Sequence, residues 1–247
     1  SDNRPFFRSA RCTSLYVTHQ VNIRHEGLLG KLFSRFHQFI INKFDYCLIP
    51  DSPTNIFAGE LSKNQSILIP SFYIGILSRF ISLEPKPPTQ QELYDLVVVA
   101  SGPEPRRTQF INNVVTILRK MAGNFVIIGV KGNHMERMGN IHYAGNLNTL
   151  DFQRTVSASK AIFALAGYTT IMDAVALQKP LIMIPTKGQA EQEYLAKHLV
   201  GVRGFYVLDR LADLPKTLKS QLIAPNPFDN SQCKNSLDAL LCQLEKR

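Results

Sequence analysis

Short runs of unbroken apolar residues alternate along most of the chain with stretches whose apolar positions recur every three or four residues. The clearest runs are Leu96–Ala100, Phe125–Val130, Ala161–Leu165, Pro180–Pro185 and Phe205–Leu208. Each has the length of a strand and is apolar throughout, which fits strands buried on both faces. Ile141–Tyr143 is a shorter run of the same kind. Between them, Arg106–Met121 places Phe110, Val114, Ile117, Leu118 and Met121 on one helical face. Residues 150–158, Thr169–Leu177 and Ala190–Leu199 also read as helices. The alternation predicts a doubly wound, parallel α/β sheet over residues 92–220, covered on both faces. In such sheets ligands sit beyond the carboxyl ends of the strands, where the strand order reverses.

The front of the chain is less regular. Ser14–Thr18 and Tyr46–Ile49 read as strands, and Leu29–Lys43 reads as an amphipathic helix between them. The apolar stripe Leu28, Leu29, Leu32, Phe33, Phe36, Phe39 and Ile40 suits either a core face or contact with a membrane surface. Leu83-Glu84-Pro85-Lys86-Pro87-Pro88-Thr89-Gln90 is proline-rich and polar, so it predicts an extended linker. The expected division is an incomplete α/β domain over residues 1–85 and a Rossmann-like domain over 86–247. Few strands in the first part, and a start at Ser1 rather than Met, lead to the expectation that earlier strands belong to a longer chain.

Composition narrows the function. An apolar content of 45% and a mean hydropathy of −0.06 are ordinary for a globular protein of 247 residues. No apolar run approaches the roughly 18 residues of a membrane span, and no charged-then-apolar leader is visible. The expected location is therefore cytoplasmic. The net charge of +9 favours phosphate-bearing ligands or an anionic membrane face. Residues 1–85 carry 9 basic and 6 acidic side chains and the remainder 19 and 13, so no dense basic block supports nucleic-acid binding. Cys12, Cys47, Cys233 and Cys242 have no CxxC spacing and read as buried or inert free thiols. His25, His37, His134, His142 and His198 show no ligand spacing, and no metal site is expected.

The sharpest chemical signal is Ala164-Leu165-Ala166-Gly167-Tyr168-Thr169-Thr170-Ile171-Met172-Asp173. A strand ends, a small pair turns the chain, and a helix begins with two threonines. The first turn of that helix offers amide donors and a positive dipole end, which suit a phosphate. Gly167 lets a ligand approach the backbone, Thr169 and Thr170 can donate hydroxyls, and Asp173 can accept from a ribose. The same residues also fit a plain β–α turn with threonine caps and a solvated aspartate. Gln192 and Glu193 open the helix after the next strand and offer groups for sugar hydroxyls, or simply a polar helix surface. Ser101-Gly102-Pro103-Glu104-Pro105-Arg106-Arg107-Thr108 follows the first strand of this part. Its amides and Arg107 suit a diphosphate, and a proline-shaped turn with surface arginines explains it equally.

From Ser157 to Leu199 the chain resembles the C-terminal nucleotide-sugar domain of GT-B glycosyltransferases of family 28, which includes the peptidoglycan N-acetylglucosaminyltransferase that forms lipid II. The residues that carry the likeness are Ala166-Gly167, Thr170, Asp173, the apolar strand between Pro180 and Pro185, and Gln192. Asp173 stands where the lipid II enzyme usually has Glu, and Gln192-Glu193 where the family has Gln-Gln. More weakly, Thr18-His19-Gln20-Val21-Asn22 looks like the His-Glu-Gln-Asn loop of the acceptor domain, with Gln20 replacing its carboxylate. Ile74–Arg79 is similar to the stretch entering the interdomain linker. The family's first glycine-rich loop has no counterpart here and is expected before Ser1.

The resemblance implies a GT-B fold and inverting transfer of GlcNAc or a similar hexose from a UDP-sugar to a lipid-linked or glycan acceptor. It implies helix dipoles rather than a metal at the leaving diphosphate, and no cofactor besides the donor. By the same resemblance Gly145, Asn146 and Leu147 hold the uracil, Asp173 the ribose, and Gln192 with Glu193 the sugar. His19 is the candidate base, because an imidazole titrates near neutrality. A structural histidine at a strand end is the competing account. The other functions that fit are a UDP-sugar epimerase and a non-catalytic nucleotide-sugar-binding subunit. Contact with an anionic inner membrane face completes the expected partners.

Overall fold

The computed structural model describes residues 11–23, 27–54, 56–81, 93–132, 135–229 and 231–245. The proline-rich stretch expected as a linker lies outside the described residues, as do His25 and His134. The chain divides into two compact units, Ser1–Leu77 with Phe228–Arg247, and Ser78–Pro227.

The first unit is built on β1 (Leu15–Val17), α1 (Gly27–Ile41), β2 (Tyr46–Ile49) and β3 (Ser71–Tyr73). The three strands form one parallel sheet in the order β1-β2-β3, with Tyr16 opposite Cys47 and Leu48 opposite Phe72. Parallel neighbours need a crossover, and α1 supplies it between β1 and β2. Tyr16, Val21, Ile41, Phe44, Cys47 and Ile49 form the core, with Ile67 and Ile69 packed against it. Beyond β2 the carboxylate of Asp51 is fully buried, where it accepts from the amides of Ser52, Phe57 and Ala58 and from the Ser62 hydroxyl. Four donors make burial of that charge tolerable.

The second unit follows the predicted alternation. Its elements are β4 (Leu96–Val99), α2 (Arg106–Leu118), β5 (Phe125–Ile128), β6 (Glu136–Met138), β7 (Ile141–Ala144), α3 (Thr149–Ser157), β8 (Ile162–Leu165), α4 (Tyr168–Ala176), β9 (Leu181–Ile184), α5 (Ala190–His198), β10 (Phe205–Val207) and α6 (Leu214–Leu218). The sheet order is β10-β9-β8-β4-β5-β7-β6, parallel except for β6 at one edge. On one face Leu96, Val98 and Ala100 meet Phe110, Val114 and Leu118 of α2, and the i, i+4, i+8 spacing places those three on one stripe.

The last helix, α7 (Ser231–Glu245), groups with the first unit and packs on β3. Asp229 accepts from the amide and hydroxyl of Ser231 at 2.9 Å each, which fixes the start of α7. The sequence reading placed residues 86–247 in one domain, whereas the compact unit here ends at Pro227. The four cysteines, expected as buried or inert free thiols, differ in their exposure. Cys47 and Cys233 are buried, but Cys12 and Cys242 are exposed. No described helix is long and apolar enough to cross a membrane.

Candidate functional site

The strand order of the second unit locates its functional edge. From β4 the chain moves outward through β5 and β7, then returns to β8 on the other side of β4 and continues to β9 and β10. The order therefore reverses between β4 and β8, and a crevice opens beyond their carboxyl ends. Val99 pairs with both Ala164 and Ile128, so the loops after β4, β5 and β8 leave the sheet at one edge. The loop after β9 joins them, because Ala164 pairs with Met183. Ser101 and Gly167 thus emerge side by side.

Four helices open at this edge, and their first turns differ. At α2 the Glu104 carboxylate accepts from the Thr108 amide at 3.2 Å, and from Arg107 Nε at 3.0 Å and Nη2 at 2.8 Å. These bonds to Arg107 and Thr108 hold the Glu104 carboxyl below its ordinary pKa of 4.5. At α3 Asn148 accepts from the Asp151 amide at 2.9 Å. Before α5, Gln192 accepts from the Thr186 amide at 3.0 Å and Glu193 from the Gly188 amide at 2.8 Å. α4, which begins on Gly167, has no side-chain hydrogen bond at its N-cap, and neither has α5 at Gln189, because Gln192 and Glu193 hold loop amides that precede that helix. Both openings offer amide donors to an incoming anion, and that of α4 lies at the reversal point of the sheet.

Gly167 has φ −87° and ψ 140°, a conformation open to any residue. A Cβ there would meet nothing nearer than the Thr170 hydroxyl at 3.9 Å. The fold itself does not require glycine at this position. Gly129 differs, because it has φ +100° and a Cβ would collide with the carbonyl oxygen of Ala100. The close approach of the β5 and β4 ends depends on it.

The predicted donor residues divide accordingly. Ser101, Gly102, Ala166, Gly167, Tyr168, Thr169 and Thr170 gather at the carboxyl ends of β4 and β8, with Thr169 exposed and Tyr168 buried. Gly145, Asn146 and Leu147 follow β7 on the same edge, three strand spacings or about 14 Å from β8. Asn146 is exposed there and Gly145 buried. Gln192 Oε1 and Glu193 Oε1 hold their own loop, and Arg107 is paired with Glu104. His19 belongs to the first unit, just past the end of β1.

Asp173, one turn into α4, is largely buried and accepts from the Ser78 hydroxyl at 2.6 Å. Burial raises its carboxyl above the ordinary 3.8, against the downward pulls of Ser78 and the Arg79 charge. Arg79 lies 4.8 Å from the ring centres of both Phe80 and Phe152, which stack at 5.3 Å. Ser78, Arg79 and Glu104 are the residues that sequence reasoning missed as site components. The apolar neighbour Phe80 was the available signal for the first two. Glu104 had one too, since an acid in the last residues before a helix commonly caps it.

Beside the crevice is a cavity of about 330 Å³, with Arg106 and Asn113 of α2 on one wall and Ile184, Thr186 and Lys187 on the other. Its two cations face a partly apolar hollow, which suits an anionic organic ligand. Among the described residues no group of three His, Cys, Asp or Glu side chains is placed to hold a metal ion.

The model of the family described as glycosyl transferase family 1 matches residues 56–219. The chain belongs to that family. A relative described as an uncharacterized glycosyltransferase, from Methanosarcina acetivorans, is 24% identical over 174 residues. That match takes in 67% of this chain and 45% of the relative, so the chain spans less than half of that protein. Among solved structures, UGT89C1 of Arabidopsis thaliana complexed with quercetin superposes with a TM-score of 0.64 at 13% identity, over 95% of this glycosyltransferase-family chain and 67% of the other. The same plant protein has been seen with UDP-L-rhamnose, and there the TM-score is 0.61 at 14% identity. UDP-GlcNAc 2-epimerase from Methanocaldococcus jannaschii superposes with a TM-score of 0.51 at 12% identity, covering 92% of this chain and 70% of that one. These likenesses show a GT-B fold, which the resemblance implied, built on the doubly wound sheet that the alternation of elements predicted. The matching model is that of family 1, and the narrower likeness to family 28 rests on the motif between Ser157 and Leu199.

Proposed function

We propose that this chain binds a UDP-sugar at the β4–β8 crevice and transfers its hexose, GlcNAc or a close relative, to a lipid-linked or glycan acceptor with inversion, in the manner of family 28. The observation that carries the reading is the opening of α4 on Gly167. A helix start without a side-chain cap sits at the reversal point of the sheet, at a glycine the fold does not require. The plant neighbour's complex with UDP-L-rhamnose supports a nucleotide sugar as ligand.

In this reading the amides of α4 and the hydroxyls of Thr169 and Thr170 receive the diphosphate. Asp173 exchanges its bond to Ser78 for the ribose. Asn146 and Leu147 receive the uracil, and Gln192 with Glu193 the sugar. The acceptor oxygen forms a bond to the anomeric carbon as the bond from that carbon to the diphosphate breaks. The electron pair leaves with UDP, and the acceptor's proton passes to a base, proposed to be His19. Charge grows on the diphosphate in the transition state, and the fixed dipole of α4 is aimed at it without a metal ion.

The test is thermal unfolding with and without millimolar UDP, followed by donor turnover with and without acceptor. UDP is expected to raise the melting temperature, and Asp173→Ala to reduce that rise. No rise in the wild-type protein overturns the site. The epimerase fold neighbour supplies the second reading. Isomerisation of free UDP-sugar without acceptor would establish it, and binding without turnover would mark a non-catalytic subunit.

A further inference from the structure

The loop between β9 and α5 is pinned by the two residues proposed for the sugar. Gln192 Oε1 accepts from the Thr186 amide at 3.0 Å, and Glu193 Oε1 accepts from the Gly188 amide at 2.8 Å. Lys187 stands between those two amides, so its place on the loop is fixed from both sides. Gly188 has φ +79°, which side-chain-bearing residues rarely adopt, and the turn after Lys187 calls for glycine. Lys187 lines the cavity of about 330 Å³ beside the crevice.

The opposite wall is a polar stripe of α2. Arg106, Gln109 and Asn113 are spaced i, i+3, i+7, and all three line the hollow. Arg107, the next residue, is held by Glu104, but Arg106 is not. Among the described residues no ion pair involves Arg106 or Lys187. The lining contains no Asp or Glu, and Phe110 and Ile184 make part of it apolar. Two cations thus face one hollow without a carboxylate of the chain to neutralise them.

The chemistry of the lining indicates the ligand. A volume of about 330 Å³ is at the lower end for an organic ligand, so the hollow suits one compact group. Gln109 and Asn113 offer both donors and acceptors, which suits ring hydroxyls. The cations suit an anion, and in the donor reading the diphosphate already has the amides of α4. A neutral hexose would leave both cations without a partner. We infer that the hexose of the donor is a hexuronic acid, in which C6 is a carboxylate, and that Arg106 and Lys187 receive this carboxylate. The inference rests on the donor reading and narrows its sugar to an acidic class.

The experiment is titration calorimetry of the whole chain with UDP, UDP-glucose and UDP-glucuronic acid, the two sugars differing only at C6. The acidic sugar is expected to bind about tenfold tighter than the neutral one. The gap should narrow as salt is raised, because both cations are exposed. The pair Arg106→Gln and Lys187→Gln should erase the gap while UDP itself binds as before, and Lys187→Arg should preserve it. An unchanged thermal transition without ligand checks that the fold persists in the variants. Equal binding of the two sugars, or a gap untouched by the double change, overturns the inference and leaves the donor site standing. So does a loss of UDP affinity in the double variant, because the cations then serve the diphosphate. Failure of all three ligands to bind overturns the donor reading and this inference with it.

Discussion

Glu104 grips Arg107 through two guanidinium nitrogens, Nε at 3.0 Å and Nη2 at 2.8 Å, and its other oxygen takes the Thr108 amide. A carboxylate of the chain itself thus occupies donors that a diphosphate would use. In the proposed reading it competes with the diphosphate for the start of α2. Glu104→Gln is expected to enlarge the thermal protection given by UDP, because a neutral amide yields Arg107 more readily. Unchanged or smaller protection, read by the same melting assay, would place the diphosphate away from α2.

Gly167→Val tests the α4 start with little disturbance to the fold. The backbone is extended and the nearest atom to a new Cβ is 3.9 Å away, so the β-carbon fits and the unliganded protein should lose only the roughly 1 kcal/mol that an apolar residue costs at an N-cap. The branched side chain then stands where the ligand approaches. UDP protection should fall by about tenfold or more in apparent affinity, equivalent to roughly 1.4 kcal/mol. Retained affinity would show that nothing approaches Gly167.

Gly129→Ala makes the opposite prediction. Positive φ and the collision with the Ala100 carbonyl both act in the folded state. A loss of about 1–3 kcal/mol is expected from the backbone conformation alone, measured by denaturant unfolding. The change should also weaken UDP protection by shifting the loop after β4. A neutral effect would show that the close approach of β4 and β5 is dispensable.

His37 predicts a pH dependence. Burial lowers the pKa of its ring below the ordinary 6.5, against a smaller upward pull from the Val21 backbone. Well above pH 6.5 the ring is neutral in both the folded and unfolded chain and contributes no slope. As pH falls through 6.5 the unfolded chain takes up its proton first, so stability declines until the folded ring is also protonated. Thermal unfolding at about pH 5 and pH 7.5 should show this decline, and His37→Gln should flatten it. An equal slope in the variant would assign the effect to other groups.

The parallel core of the second unit was legible because its strands are buried on both faces and its helices carry a single stripe. Periodicity then finds each element to within a few residues. It did not disclose which side of α1 faces inward. A stripe marks one face of a helix, and only the partners of the other face, here Tyr16 and Asn22, decide which is buried. Strand β6 was missed because Glu136, Arg137 and Met138 are all exposed and carry no apolar alternation. The place of α7 escaped because a return to the first unit is a long-range event, unmarked by local composition. At the candidate site, the sheet edge from which the proposed donor-binding residues emerge was readable. Their engagement was not. Gln192, Glu193, Arg107 and Asp173 each look available in one dimension, and each has an internal partner in three.

The return of α7 to β3 has a consequence for biosynthesis. A ribosome releases β1, β2 and β3 early, but the helix that lies on β3 is encoded after Pro227. The whole of Ser78–Pro227 must therefore be translated before the earlier sheet receives its cover. Until then the nascent chain carries a half-finished module, and a premature stop after Pro227 would leave it permanently in that state.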